Sequence, residues 1–151
     1  MYLLSVRKMV REGEYPQEYA KCYGKLFKVI RENKLTVTAP PMVLFHSEEF
    51  SPFGLDTEFA IPVKEYVTGT RNHTPGLCLK TVLHGTYSAL PSVYAKQRRW
   101  AEMEGYEGNG PLCEVYITDP SQVSSESELT TEIYYPVKKK ASFHPNSKEK
   151  K

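Results

Sequence analysis

The sequence predicts an α+β fold: a pseudo-twofold duplication of a strand-helix-strand-strand module, forming a curved antiparallel sheet with helices on one face. Three observations predict it. Thr57-Glu58-Phe59-Ala60-Ile61-Pro62-Val63 returns as Thr131-Glu132-Ile133-Tyr134-Tyr135-Pro136-Val137. Upstream, Ala39-Pro40-Pro41-Met42-Val43-Leu44-Phe45 lines up without a gap with Gly110-Pro111-Leu112-Cys113-Glu114-Val115-Tyr116. Each ending closes the same order of strand, helix, strand and strand. Internal repetition decides the fold before any local pattern does, and two copies are too few for a stacked solenoid. A closed pair of modules is therefore expected, with the functional site where the copies meet.

The elements follow in order. Leu3 to Val10 reads as a strand, and Gly13 to Pro16 as a turn. A helix follows from about Gln17 to Asn33, with Pro16 suited to its entry and Tyr19, Tyr23, Leu26, Phe27 and Ile30 on one stripe. Met42 to His46 and Thr57 to Val63 read as strands, joined by a Glu48 to Asp56 loop that holds Pro52 and Gly54. The second module repeats the order as Leu77 to His84, a helix from about Ala89 to Glu104, Cys113 to Thr118, and Thr131 to Val137. Its Asp119 to Thr130 loop is polar, with four serines. The expected organisation is one domain over 1–137, made of module one at 1–63, a linker at 64–75 and module two at 76–137. Residues 138–151 are expected to form a disordered basic tail.

Composition narrows the function classes. At 151 residues, 40% hydrophobic and 25% charged, the chain can bury one sizeable core. The formal charge is +2, but six lysines lie at positions 138–140, 148, 150 and 151, so the body is acidic. An acidic body argues against a nucleic-acid-binding surface. No apolar run reaches the length of a membrane span or a signal segment, and a soluble cytoplasmic protein is expected. Cys22, Cys78 and Cys113 lack metal or redox spacing and read as reduced thiols. His46, His73, His84 and His144 lack ligand spacing, so neither a metal nor a cofactor is expected. Ser-His-Asp order, a phosphate loop and a nucleotide fingerprint are all missing.

Strand alternation sorts side chains by face. If the purely apolar rows Cys113, Val115, Ile117 and Ile133, Tyr135, Val137 lie beneath the helices, then Glu114, Tyr116, Glu132 and Tyr134 share the opposite face. The matching positions in module one are Val43, Phe45, Glu58 and Ala60. The expected groove thus has aromatic walls with carboxylates among them. Glu58 and Glu132 also suit a structural role, Trp100 suits core packing, and His84 before Gly85 suits a strand-to-helix turn.

Val82-Leu83-His84-Gly85-Thr86-Tyr87, the Leu90 to Trp100 helix, Gly105-Tyr106, Gly110-Pro111, Glu114 through Pro120 and Thr131 through Val137 together resemble the GyrI-like effector-binding domain. That domain occurs alone and at the C-terminus of AraC-type and MerR-type regulators. The resemblance is weaker in module one, where Val43 and Val29 stand at the positions of Glu114 and Trp100. It implies a pocket for bulky, lipophilic, often cationic aromatic compounds with Glu114 as central acid. Tyr116, Tyr134, Phe45 and Trp100 would contact the ligand, with Val43, Glu132 and Glu58 completing the set. A sensor or sequestration module follows, with any DNA-binding domain lying outside this chain, although a Met1 start also suits a standalone protein. Some standalone relatives open strained cyclopropane rings, which would make Glu114 and Tyr116 catalytic. Others inhibit a topoisomerase, which implies a protein partner.

Overall fold

Prolines mark both helix starts. The computed structural model of the protein describes residues 1–47, 53–119 and 122–141. Strand β1 spans Tyr2–Val10, helix α1 Tyr15–Asn33, β2 Met42–Phe45, β3 Leu55–Val63 and β4 Thr70–Asn72. The second half holds β5 Cys78–His84, a 3-10 turn Tyr87–Ala89, α2 Leu90–Met103, β6 Tyr106–Gly108, β7 Leu112–Tyr116, a second 3-10 turn Glu126–Glu128 and β8 Thr130–Lys139. Pro16 and Pro91 sit in the first turns of α1 and α2, where a missing N–H costs nothing because no intrahelical acceptor exists. Helix α1 stops at Lys34, whose left-handed backbone (φ 55°) turns its N–H back onto the carbonyls of Ile30 and Arg31.

Two short strands were not expected. β4 lies within the predicted linker, and β6 pairs with the end of β8. Pairing with Tyr106 and Glu107 places Lys138 and Lys139 in the sheet, so β8 continues two residues beyond Val137. The tail positions 142–151 and the loop positions 48–52 and 120–121 lie outside the described residues.

The sheet runs β4-β1-β3-β2-β7-β8-β5, with every pairing antiparallel. The halves join along β2 and β7, where Val43 faces Glu114 in register. These are the two positions that the gapless sequence match equates, so the seam centres on them. Residues 73–77 connect β4 at one edge to β5 at the other. Seven flat strands would set those edges about 29 Å apart at roughly 4.8 Å per gap. The six steps from Asn72 to Cys78 span at most about 21 Å. The sheet must therefore curl toward this strap.

Side-chain faces differ from the expectation, and register is the reason. Cys113 pairs with Tyr134, and Glu114 with Ile133, so the polar rows of β7 and β8 point to opposite sides. Both helices cover the side that carries Val43, Phe45, Phe59, Glu114, Tyr116 and Ile133, with Cys22, Leu26 and Ile30 of α1 in that core. Gln97 anchors α2 to the same side by donating to Thr81 Oγ1 at 2.9 Å. Cys113 and Val115 lie instead on the strap side, packed with Leu3, Met42, Leu44, Ala60 and Tyr134. Glu58 and Glu132 follow them there, since Glu58 pairs with Leu44 and Glu132 with Val115.

Candidate small-molecule site

On the helix side the seam residues carry chemistry at the centre of the sheet. Glu114 is flanked in register by Val43 and Ile133 and is only 3% exposed. Two residues on along the same strand and face, Tyr116 donates from its hydroxyl to Glu114 Oε1 at 2.7 Å. The Tyr116 and Tyr19 hydroxyls share a further hydrogen bond of 2.8 Å. Burial pushes the Glu114 carboxyl up to about 7, against the smaller opposing effect of the Tyr116 bond. Burial likewise raises the Tyr116 and Tyr19 phenols. No cation forms an ion pair with Glu114 among the described residues.

Aromatic rings wall this carboxyl. Tyr15, Tyr19 and Tyr23 recur at four-residue spacing along α1, and Tyr19 meets Tyr116 edge-on with ring centroids 5.9 Å apart. Tyr87, in the turn before α2, also meets Tyr116 edge-on with ring centroids 5.8 Å apart. Phe45 packs against Tyr15 at 6.2 Å. The Thr131 hydroxyl, on the register partner of Tyr116, is buried and lacks a hydrogen-bond partner among the described residues. Half-buried phenol faces beside a desolvated acid make an apolar, quadrupole-rich lining with one point of negative charge.

The structure thus brings together Glu114, Tyr116, Phe45 and Val43 of the expected set. It does not bring Glu58, Glu132 and Tyr134 to them. Trp100 stands 45% exposed on the flank of α2, stacked on Tyr106 at 5.8 Å. Tyr15, Tyr19, Tyr23 and Tyr87 were missed as site residues. Tyr19 and Tyr23 read as part of a core stripe, and their hydroxyls are the signal that could have separated them from leucines.

The strap side presents different electrostatics. Glu58 is 1% exposed and takes two hydrogen bonds from Arg71, at 2.7 and 2.5 Å, and a 2.8 Å bond with His46 Nε2. Burial opposes its ionisation, yet the bonds from Arg71, Ser5 and His46 prevail and hold it at about 2. Glu132 accepts from the Tyr134 hydroxyl at 2.7 Å and pairs with Lys80 at 3.4 Å. These carboxylates are neutralised where Glu114 is not. Among the described residues, no group of three or more His, Cys, Asp or Glu side chains could hold a metal. Nor is any described helix long and apolar enough to cross a membrane.

The sequence profile of the GyrI-like small molecule binding domain matches residues 6–138. The chain belongs to the GyrI-like family. Solved structures share this fold over nearly the whole chain. The EcmrR C-terminal domain is 24% identical with a TM-score of 0.74, covering 92% of each chain. EcmrR in its DNA complex gives a TM-score of 0.77 at 24% identity, and the match covers 92% of this chain but 54% of EcmrR. The chain therefore spans about half of that regulator's length. A hydrolase encoded by lin2189 from Listeria innocua has a TM-score of 0.63 at 14% identity, covering 91% of this chain and 87% of its own. No curated protein matches the sequence significantly.

Proposed function

We propose that this GyrI-like domain binds lipophilic aromatic cations on the helix side of the β2–β7 seam, with Glu114 as counter-ion. The observation that carries this reading is a buried carboxyl, ringed by tyrosines, with one phenol donor and no cation partner among the described residues. Leaving such a group charged and unpaired is costly, which is why it sits near 7. A planar cation offsets that cost and stacks on Tyr19, Tyr87 and Tyr116. Because the acid is almost fully covered, entry requires the tyrosine side chains or the 3-10 turn before α2 to give way. Binding at this site suits an effector sensor or a sequestering protein. Titration of ethidium at pH 8 tests it: affinity should fall at least about tenfold in Glu114→Gln, and equal affinity in both proteins would refute the anchor.

A second reading uses the same groups as a hydrolase of strained cyclopropanes. The Glu114–Tyr116–Tyr19 chain of 2.7 and 2.8 Å contacts favours it, because a carboxyl near 7 can exchange protons at neutral pH. In the balanced step a water oxygen bonds to one ring carbon as the ring C–C bond breaks. Glu114 takes the water proton, the electron pair released on the other former ring carbon is protonated by the Tyr116 hydroxyl, and Glu114 returns its proton to Tyr116, so that one water adds overall. Mass spectrometry would show product heavier by one water; unchanged compound after long incubation would leave binding alone.

A further inference from the structure

We propose that the concave strap side holds a second small-molecule site, separate from Glu114, for lipophilic compounds with an anionic or hydrogen-bond-accepting head. A groove of about 650 Å³ lies between the sheet and residues 73–76, within the roughly 300–1,000 Å³ of ordinary ligand pockets. Its floor is Met42, Cys113 and Val115, all at most 7% exposed, and Tyr134, Pro136 and Cys78 line it toward β5. Such a floor on the inside of a curled sheet offers an apolar surface that no described residue fills.

Charge determines the kind of ligand. Among the described residues, the carboxylates facing this side are paired: Glu58 with Arg71 and His46, Asp56 with Arg7 at 2.7 Å, and Glu132 with Lys80 and Tyr134. A cation entering here would find no orphan negative charge. Donors remain, because the Arg71 side chain is 40% exposed and spends Nε and one terminal nitrogen on Glu58. The other terminal nitrogen makes only a long 3.5 Å contact with the Asn72 carbonyl. His46 and His73 line the same end. The head therefore sits by Arg71, and the apolar body lies along Met42, Cys113 and Val115. One strand serves both sites, since Glu114 faces the helices while its neighbours Cys113 and Val115 face the groove.

The anionic dye 1-anilinonaphthalene-8-sulfonate is the probe. Titrated into the full chain, it should bind once per chain, with ethidium at saturation leaving that stoichiometry intact. Cys113→Phe fills the floor and should weaken the anionic dye at least about tenfold, while ethidium affinity stays within about twofold because the Cys113 side chain points to the face opposite Glu114. Wild-type protein supplies a test independent of that variant's folding: the anionic dye should slow alkylation of Cys78 by N-ethylmaleimide, followed by mass spectrometry. Cys22 beneath α1 should be unaffected. Ethidium displacing the anionic dye one for one, together with loss of both in Glu114→Gln, would reduce the two sites to one and overturn the proposal. Absence of Cys78 protection would overturn it as well. Unchanged ethidium binding to Glu114→Gln would sink the cation anchor and leave this groove standing.

Discussion

Glu114 makes the folded protein sensitive to alkali. Its carboxyl rises from the ordinary 4.5 to about 7, so the native state holds a proton that the unfolded chain releases. The contribution is full below about 4.5 and is lost as pH rises through 7, roughly 2–4 kcal/mol in all. Glu114→Gln should therefore raise the melting temperature at pH 8 and change it little at pH 4.5, as read by circular dichroism. Tyr116→Phe removes the hydrogen bond that lowers Glu114, so the acid's titration should move above 7, visible by carbon NMR of the carboxyl. Glu58 behaves oppositely. Its carboxyl is depressed to about 2, giving stability that is present above 4.5 and lost as pH falls through 2. Glu58→Gln strands Arg71 and His46 and should cost about 3 kcal/mol at neutral pH. Glu114 was legible in the sequence as a carboxyl between apolar neighbours in a strand. Its depth was not, because exposure depends on Tyr19 and Tyr87 arriving from elsewhere in the chain.

Elements were read well and their phase was not. Alternation assigns each strand two faces, but only register joins one strand's faces to the next. The Cys113–Tyr134 pairing reversed the expected alignment of β7 with β8. The rule that the apolar row lies under the helix failed for β7, because the row under the helices carries the acid and its tyrosine. Its apolar row, Cys113 and Val115, faces the groove instead. Short strands β4 and β6 escaped notice because Thr70–Asn72 and Tyr106–Gly108 are three residues each, too short for a period. Gly54 shows what a loop residue can demand: at φ +100° a Cβ would stand 2.3 Å from the Val10 carbonyl oxygen. Gly54→Ala should destabilise by more than about 1 kcal/mol in urea denaturation, and an unchanged midpoint would count against this β1–β3 approach.

The two halves share one sheet, and the repeated Thr-Glu-x-x-x-Pro-Val endings made that organisation readable. The proposed site lies where the two halves differ. Val43 and Glu114 face one another in register across the seam, so an acid on one side meets a methyl-bearing wall on the other. A seam of four register pairs between β2 and β7 couples the halves, and urea unfolding should be a single transition by both far-ultraviolet circular dichroism and Trp100 fluorescence. Two separate transitions would mean that the halves fold independently. At the scale of the whole domain, the proposed function makes cation binding and deprotonation of Glu114 one event. Ethidium affinity measured from pH 5 to 8.5 tests this most directly. It should fall about tenfold per pH unit below 7, level off above it, and be flat in Glu114→Gln; a flat profile in the wild type, or the same slope in the variant, would contradict the account.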